Sequence, residues 1–196
     1  MSKILRVVAL TTALLAALAS TASAVTWHNS GDTAFTATGG ATTLHLGGVS
    51  IPCAGATASG TTTTAPFTGT TAATGTVNFG HCTMSGITTT LECSYAQTLT
   101  SQSGSASSGA LDLTCGVWQF NAKLCHIAGS IPDTYTNGGG APGSFALASS
   151  PLVLGNGPAG TCPFTTAGTL TAQTWTISAA TGGPAPHNGP VFTRTA

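Results

Sequence analysis

Residues 111–120 read Leu-Asp-Leu-Thr-Cys-Gly-Val-Trp-Gln-Phe, and their alternation decides the fold class. Leu111, Leu113, Cys115 and Val117 fall on one side of an extended chain, with Asp112, Thr114 and Gly116 on the other. A period of two marks a β-strand with one buried face, because successive Cβ atoms point to opposite sides of the pleat. The phase then changes, since Trp118 and Phe120 occupy even positions. A bulge at Gly116 is the expected cause.

The same signature continues in both directions. Short strands are expected at 35–38, 42–46, 49–53, 61–65, 75–79 and 88–95 upstream, and at 123–127, 145–154 and 170–177 downstream. Thr, Val and Ile recur through the chain, and a branched Cβ sits well on a pleated surface. Gly39-Gly40 and Gly47-Gly48 punctuate the early strands as hairpin turns would. Residues 101–109, nearly all Ser, Gly and Ala, read as a flexible loop, and residues 137–143 as another. After residue 24 no segment spaces its apolar residues at i, i+3, i+4 and i+7 over about ten positions. No repeat of solenoid length recurs either. The expectation is an all-β domain, an antiparallel β-sandwich or barrel stapled by disulfides.

At the N-terminus, Lys3 and Arg6 precede an apolar run at 7–18 that ends in Ala22-Ser23-Ala24. A charged start, a short apolar core and an Ala-x-Ala site read as an export signal cleaved before Val25. The run is too short for a spanning helix, which needs roughly 20 residues. The organisation expected is a signal peptide at 1–24, a single β domain at 25–181 and a Pro/Gly-rich C-terminal tail at 182–196. The destination is secretion, with no membrane insertion.

Two of the four basic residues leave with that signal, so Lys123 and Arg194 stand against Asp32, Glu92, Asp112 and Asp133. Nucleic-acid binding needs clustered Lys and Arg to neutralise phosphates, and two isolated cations cannot supply it. Anionic membrane surfaces ask for the same clusters. A surface wetted by Thr and Ser hydroxyls lacks the repulsion that keeps proteins apart. Self-association, or contact with extracellular matrix or glycan, is therefore the expected class of partner.

All six cysteines follow the signal, and an even count in an oxidising compartment reads as disulfides. The short spacings suggest Cys82 with Cys93 and Cys115 with Cys125, across strands behind turns at Gly86 and Asn121. Cys53 with Cys162 follows by elimination. Zinc is the competing reading, because His81 precedes Cys82 and His126 follows Cys125. Neither C-x2-C nor H-x3-H spacing occurs, and neighbours on a strand point to opposite faces. No metal or cofactor is expected.

Thr-x-Thr recurs at 36/38, 68/70, 74/76, 88/90, 98/100 and 174/176. On a strand this sets two hydroxyls on one face, about 6.6–6.8 Å apart. An array able to order water would need stacked rungs, and the irregular spacing between pairs favours an ordinary solvent face. Trp27, Trp118 and Trp175 are candidates for stacking on a sugar, with core packing as the alternative. Trp27, beside His28 and Asn29, is expected to be the exposed one. Catalysis has little to work with: four acids remain, and neither Gly-x-Ser-x-Gly nor His-Glu-x-x-His occurs. No catalytic residue is expected.

Ile51-Pro52-Cys53, the Gly-Thr-Val-Asn-Phe-Gly-His-Cys run at 75–82 and Leu91-Glu92-Cys93 together carry a resemblance. The chain resembles small secreted Thr/Gly-rich, Cys-containing β proteins of actinobacteria, over roughly residues 35–162. The resemblance implies compartment and β architecture, and brings no functional residue with it. The functional expectation is a secreted, non-catalytic protein with a structural or adhesive role at the cell surface. A carbohydrate-binding module using an exposed Trp is the second reading, and an extracellular hydrolase the third.

Overall fold

The alternation at 111–120 belongs to one of four long strands that dominate the molecule. The computed structural model describes residues 25–68, 71–120, 122–138, 140–156, 162, 164 and 168–195, so the expected export signal lies outside the described residues. The strands are β1 (Thr26–Asn29), β2 (Ala34–Gly39), β3 (Thr42–Leu46), β4 (Val49–Cys53), β5 (Gly55–Thr62), β6 (Thr71–Met84) and β7 (Ile87–Ser103). They continue as β8 (Ala106–Gln119), β9 (Ala122–Thr136), β10 (Ser144–Leu147), β11 (Ser150–Asn156), β12 (Gly168–Leu170), β13 (Gln173–Thr181) and β14 (Phe192–Thr195). Every pairing is antiparallel.

Eight strands close into a barrel in the order β10-β13-β2-β5-β6-β7-β8-β9, with β9 returning to β10. The lower half of β9 pairs β10 through 133–136, while its upper half pairs β11 through 125–128. From β11 the sheet runs on through β12 and β3 to β4. The Ala54 amide bonds the Gly80 carbonyl at 3.1 Å, so the chain leaving β4 meets β6. Closure removes the unpaired edges through which sheets aggregate.

Inward positions follow the predicted alternation. Leu91, Cys93, Tyr95, Gln97 and Leu99 face in from β7, and Leu111, Leu113, Cys115 and Val117 from β8. The phase of β8 holds through buried Gln119 and leaves Phe120 at 84% exposure. The expected bulge at Gly116 is thus absent, and the extra residue is Leu124 in β9, between the Val117↔Cys125 and Trp118↔Lys123 pairs. A true phase flip occurs in β6, where Gly80 and His81 together oppose Thr90 and the buried set passes from Val77 and Phe79 to Cys82 and Met84. His81 takes φ 51 there.

Hairpin turns at Gly47-Gly48 (φ 53 and 85) and Ser85-Gly86 (φ 52 and 78) have two positive φ angles in succession, which matches the twist of the flanking strands. Gly39-Gly40 is no hairpin, because β2 pairs β5 and β13 and never β3. Residues 101–109 are not a loop: β7 and β8 run through them to a turn at Gly104-Ser105. Backbone bonds from β7 on one side and β9 on the other hold that part of β8 without apolar side chains.

Residues 182–195 of the expected C-terminal tail pack on the barrel. β14 pairs β1, and Phe192 is fully buried, its ring 5.5 Å from Tyr135 and 6.5 Å from Phe67. Gln102 and Asn137 bond the backbone of Phe192 and Arg194 along the outer edge of β14. Beneath this ribbon Asp32 is buried and accepts bonds from His187 Nδ1 (2.7 Å) and from the Gly183 and Gly189 amides. Burial pushes the Asp32 carboxyl up, but the His187 and Gly189 hydrogen bonds and the His187 charge outweigh it and hold it below the ordinary value.

The six cysteines form three pairs, Cys53–Cys82, Cys93–Cys115 and Cys125–Cys162. None of the pairs expected from spacing forms. The expected β6–β7 and β8–β9 hairpins are present, but register sets Cys82 opposite Thr89 and Cys115 opposite Ile127. Cys93 instead lies directly across from Cys115 on β8, and the β6 bulge turns Cys82 inward to reach Cys53 on β4. With all six sulfurs paired, neither His81 nor His126 has a thiolate beside it.

Candidate functional site

The barrel interior is packed, with apolar cavities of only about 30 and 10 Å³. Phe35, Tyr95, Leu111, Phe145 and Trp175 line the larger one, which among the described residues has room for no more than a water or two. Function therefore has to be sought on the outer wall.

Two of the three tryptophans are unavailable there. Trp27, expected to be exposed, is 3% accessible and exchanges backbone bonds with Phe67. Trp175 is 4% accessible and meets Phe79 edge-on at 6.2 Å. Trp118 alone reaches the surface, half-buried, with the Lys123 ammonium 6.0 Å from its ring centroid. Its indole edge and the Lys123 stem lie over Gly116, where a Cβ would come within 2.8 Å of both. The glycine read as a bulge is thus a notch that seats a tryptophan.

Beside Trp118 the β8–β9 turn carries Phe120 and the β6–β7 turn leads into Ile87, at 39% exposure. These three side chains, with Glu92 and Gln119, surround a depression of about 600 Å³. A second depression of about 420 Å³ shares Glu92 and adds Asn78, Ser94, Thr114 and Lys123. A third, of about 520 Å³, lies on β13, β2, β5 and β6 and shares Thr76 with the second. The three depressions are thus neighbours on the barrel wall, Thr76 standing between the third and the second and Glu92 between the second and the first.

Register gives this wall an order that the sequence hides. Thr36 faces Ser59, Ser59 faces Thr76, Thr76 faces Ser94 and Ser94 faces Thr114 on successive strands. Ser178 joins from β13 through a 3.1 Å hydroxyl contact with Thr36. Six exposed hydroxyls thus form one rung at a strand spacing of about 4.8 Å. Thr38, Thr57 and Asn78 form part of the next rung, and Thr61 and Thr74 part of another.

The groups a hydrolase would use are dispersed. His45 Nδ1 and Ser50 Oγ lie 3.0 Å apart on the exposed β3–β4 hairpin, with no carboxylate bonded to His45 among the described residues. The Asp32–His187 pair has a buried acid and a half-exposed imidazole, with no hydroxyl bonded to His187 among the described residues. No three His, Cys, Asp or Glu side chains converge to hold a metal ion among the described residues.

One buried acid is unusual. Asp133, 4% accessible, faces inward from β9 and accepts a 2.5 Å bond from Gln97 Nε2 on β7. Its Oδ1 and the Gln97 Oε1 are both left without a partner among the described residues. Burial raises the Asp133 carboxyl to about 6, although the Gln97 bond pulls the other way.

Comparison with known proteins found no matching family model, no matching curated protein and no matching solved structure.

Proposed function

We propose that the protein acts outside the cytosol as a non-catalytic adhesive component, gripping its partner through the tip where β6–β7 and β8–β9 turn. One observation carries this reading. Ile87, Trp118 and Phe120 gather around a single depression, and Ile87 and Phe120 are two of the three exposed large hydrophobics among the described residues. An exposed ring grouped with two further apolar side chains supports a contact surface, where a single exposed ring would not. Three disulfides fit an oxidising compartment. The outward Thr, Ser, Asn and Glu side chains are the inverse of a lipid-facing barrel.

The test is sedimentation of labelled, oxidised protein with bacterial cells and with insoluble extracellular matrix. Wild type is expected to sediment with one or both, and Ile87→Ser/Phe120→Ser to remain in the supernatant with an unchanged unfolding midpoint. Wild-type protein that stays monomeric and unbound, or a variant that binds as well as wild type, overturns the reading.

A further inference from the structure

We propose that the hydroxyl-lined depression on β13, β2, β5 and β6 binds a neutral polysaccharide, laid across the strands; this rests on the adhesive reading for its setting and names the ligand. The depression has a structural cause. Gly60 faces Gly75 across β5 and β6. A Cβ on Gly60 would strike the Tyr95 hydroxyl and the Phe35 ring, and one on Gly75 would strike the Ser59 carbonyl and Gly60 Cα. Two adjacent strands therefore sink toward Tyr95, and the wall dips over about 520 Å³.

Charge matching selects the occupant. No titratable side chain lines the dip, so a phosphate, carboxylate or amine entering it would lose water and gain no counter-charge. A neutral polyol loses far less. Thr36, Ser59, Thr61, Thr74, Thr76 and Thr181 offer hydroxyls that both donate and accept. The Thr36–Ser178 and Ser59–Thr76 contacts at 3.1 Å each use one hydrogen, leaving the second hydrogen and several lone pairs for a ligand. Threonine methyls with Ala179 and Ala180 supply the apolar patches that the C–H faces of a pyranose require.

Other occupants fit poorly. An ice lattice needs a plane, and this surface is concave. A peptide adding as a strand needs a free edge, whereas β2, β5 and β6 are each paired on both sides. A polymer, by contrast, continues from the dip past Thr76, Asn78 and Glu92 to the tryptophan tip.

The experiment titrates oxidised, full-length mature protein with soluble neutral glucan, xylan and chitin oligosaccharides by calorimetry. In parallel, the insoluble polymers are sedimented with it. Binding to at least one series is expected, and Thr36→Val/Ser59→Ala/Thr76→Val, which keeps side-chain volume and β-propensity, is expected to weaken it about tenfold or more. Equal unfolding midpoints for the two proteins establish that the fold is intact. No binding to any neutral glycan, unchanged binding by the triple variant, or ice shaping in place of glycan binding overturns the proposal. Ile87→Ser/Phe120→Ser separates the two readings: loss of cell adhesion in that variant, with no glycan affinity in wild type, retains the adhesive tip and removes the glycan site.

Discussion

Replacing Asp133 with Asn is expected to make the protein more stable at neutral pH and to erase part of its pH dependence. In the native barrel the carboxyl rises from 3.8 to about 6, chiefly because burial penalises its charge. Between about pH 4 and 6 the native state therefore holds a proton that the unfolded chain has released. Stability is fully present below pH 4 and falls as pH rises through 6. At about 1.4 kcal/mol per pH unit, the loss approaches about 3 kcal/mol. Geometry gives the same direction, since an added hydrogen on Oδ1 supplies a donor where both Oδ1 and Gln97 Oε1 are unpartnered acceptors. Asparagine carries such a donor permanently. The assay is urea unfolding of both oxidised proteins at pH 4.5 and 7.5, followed by tryptophan fluorescence. The two proteins differ at one residue, so contributions common to both cancel in the difference. Asp32, held below its ordinary value, changes stability only at more acid pH. Asp133→Asn should gain up to about 3 kcal/mol over wild type at pH 7.5 and little at pH 4.5. A variant less stable than wild type at pH 7.5, or a gap of equal size at both pH values, refutes the reasoning.

Three further outcomes are expected. Asp32→Asn removes the charge that receives His187 and the Gly183 and Gly189 amides, so thermal unfolding at pH 7 should show a loss of about 1–3 kcal/mol, shrinking as pH falls below 4. Gly75→Ala forces a Cβ into the backbone of β5, and chemical denaturation should show a cost of about 1–3 kcal/mol or more. Peptide mapping of the unreduced protein should recover Cys53–Cys82, Cys93–Cys115 and Cys125–Cys162, and Cys93→Ser/Cys115→Ser should lose about 2–5 kcal/mol.

The period of two in β8 was legible because inward and outward residues differ in kind there, whereas only 88–95 of β7 and 123–127 of β9 read as strand. Gly47-Gly48 and Gly86 announced their turns for an equally local reason. Register was not legible. Whether Cys82 meets Cys93 or Cys53 depends on the two-for-one count at Gly80-His81, and no residue type advertises that count. The same blindness hid the hydroxyl rungs, since Thr36, Ser59, Thr76 and Ser94 are irregularly spaced in sequence and align only after pairing. Ser-rich residues 101–109 looked like a loop because a strand held by its backbone ladder needs no apolar side chains. Phe192 follows a Pro/Gly-rich stretch with no strand pattern around it; its burial comes from Tyr135 and Phe67. Trp27 looked exposed on the strength of its polar neighbours, yet β1 is a ribbon lid whose inward face is that indole.

The three disulfides join each cysteine to the next one along the chain, first to second, third to fourth and fifth to sixth. The closed segments never interleave. A polypeptide made N-terminus first therefore presents its sulfur partners in the order in which they pair. An oxidase that couples each thiol to its immediate successor already produces the native set, with no shuffling of wrong bridges by an isomerase. Chain order alone therefore specifies the bridges, whatever the route by which the thiols are oxidised.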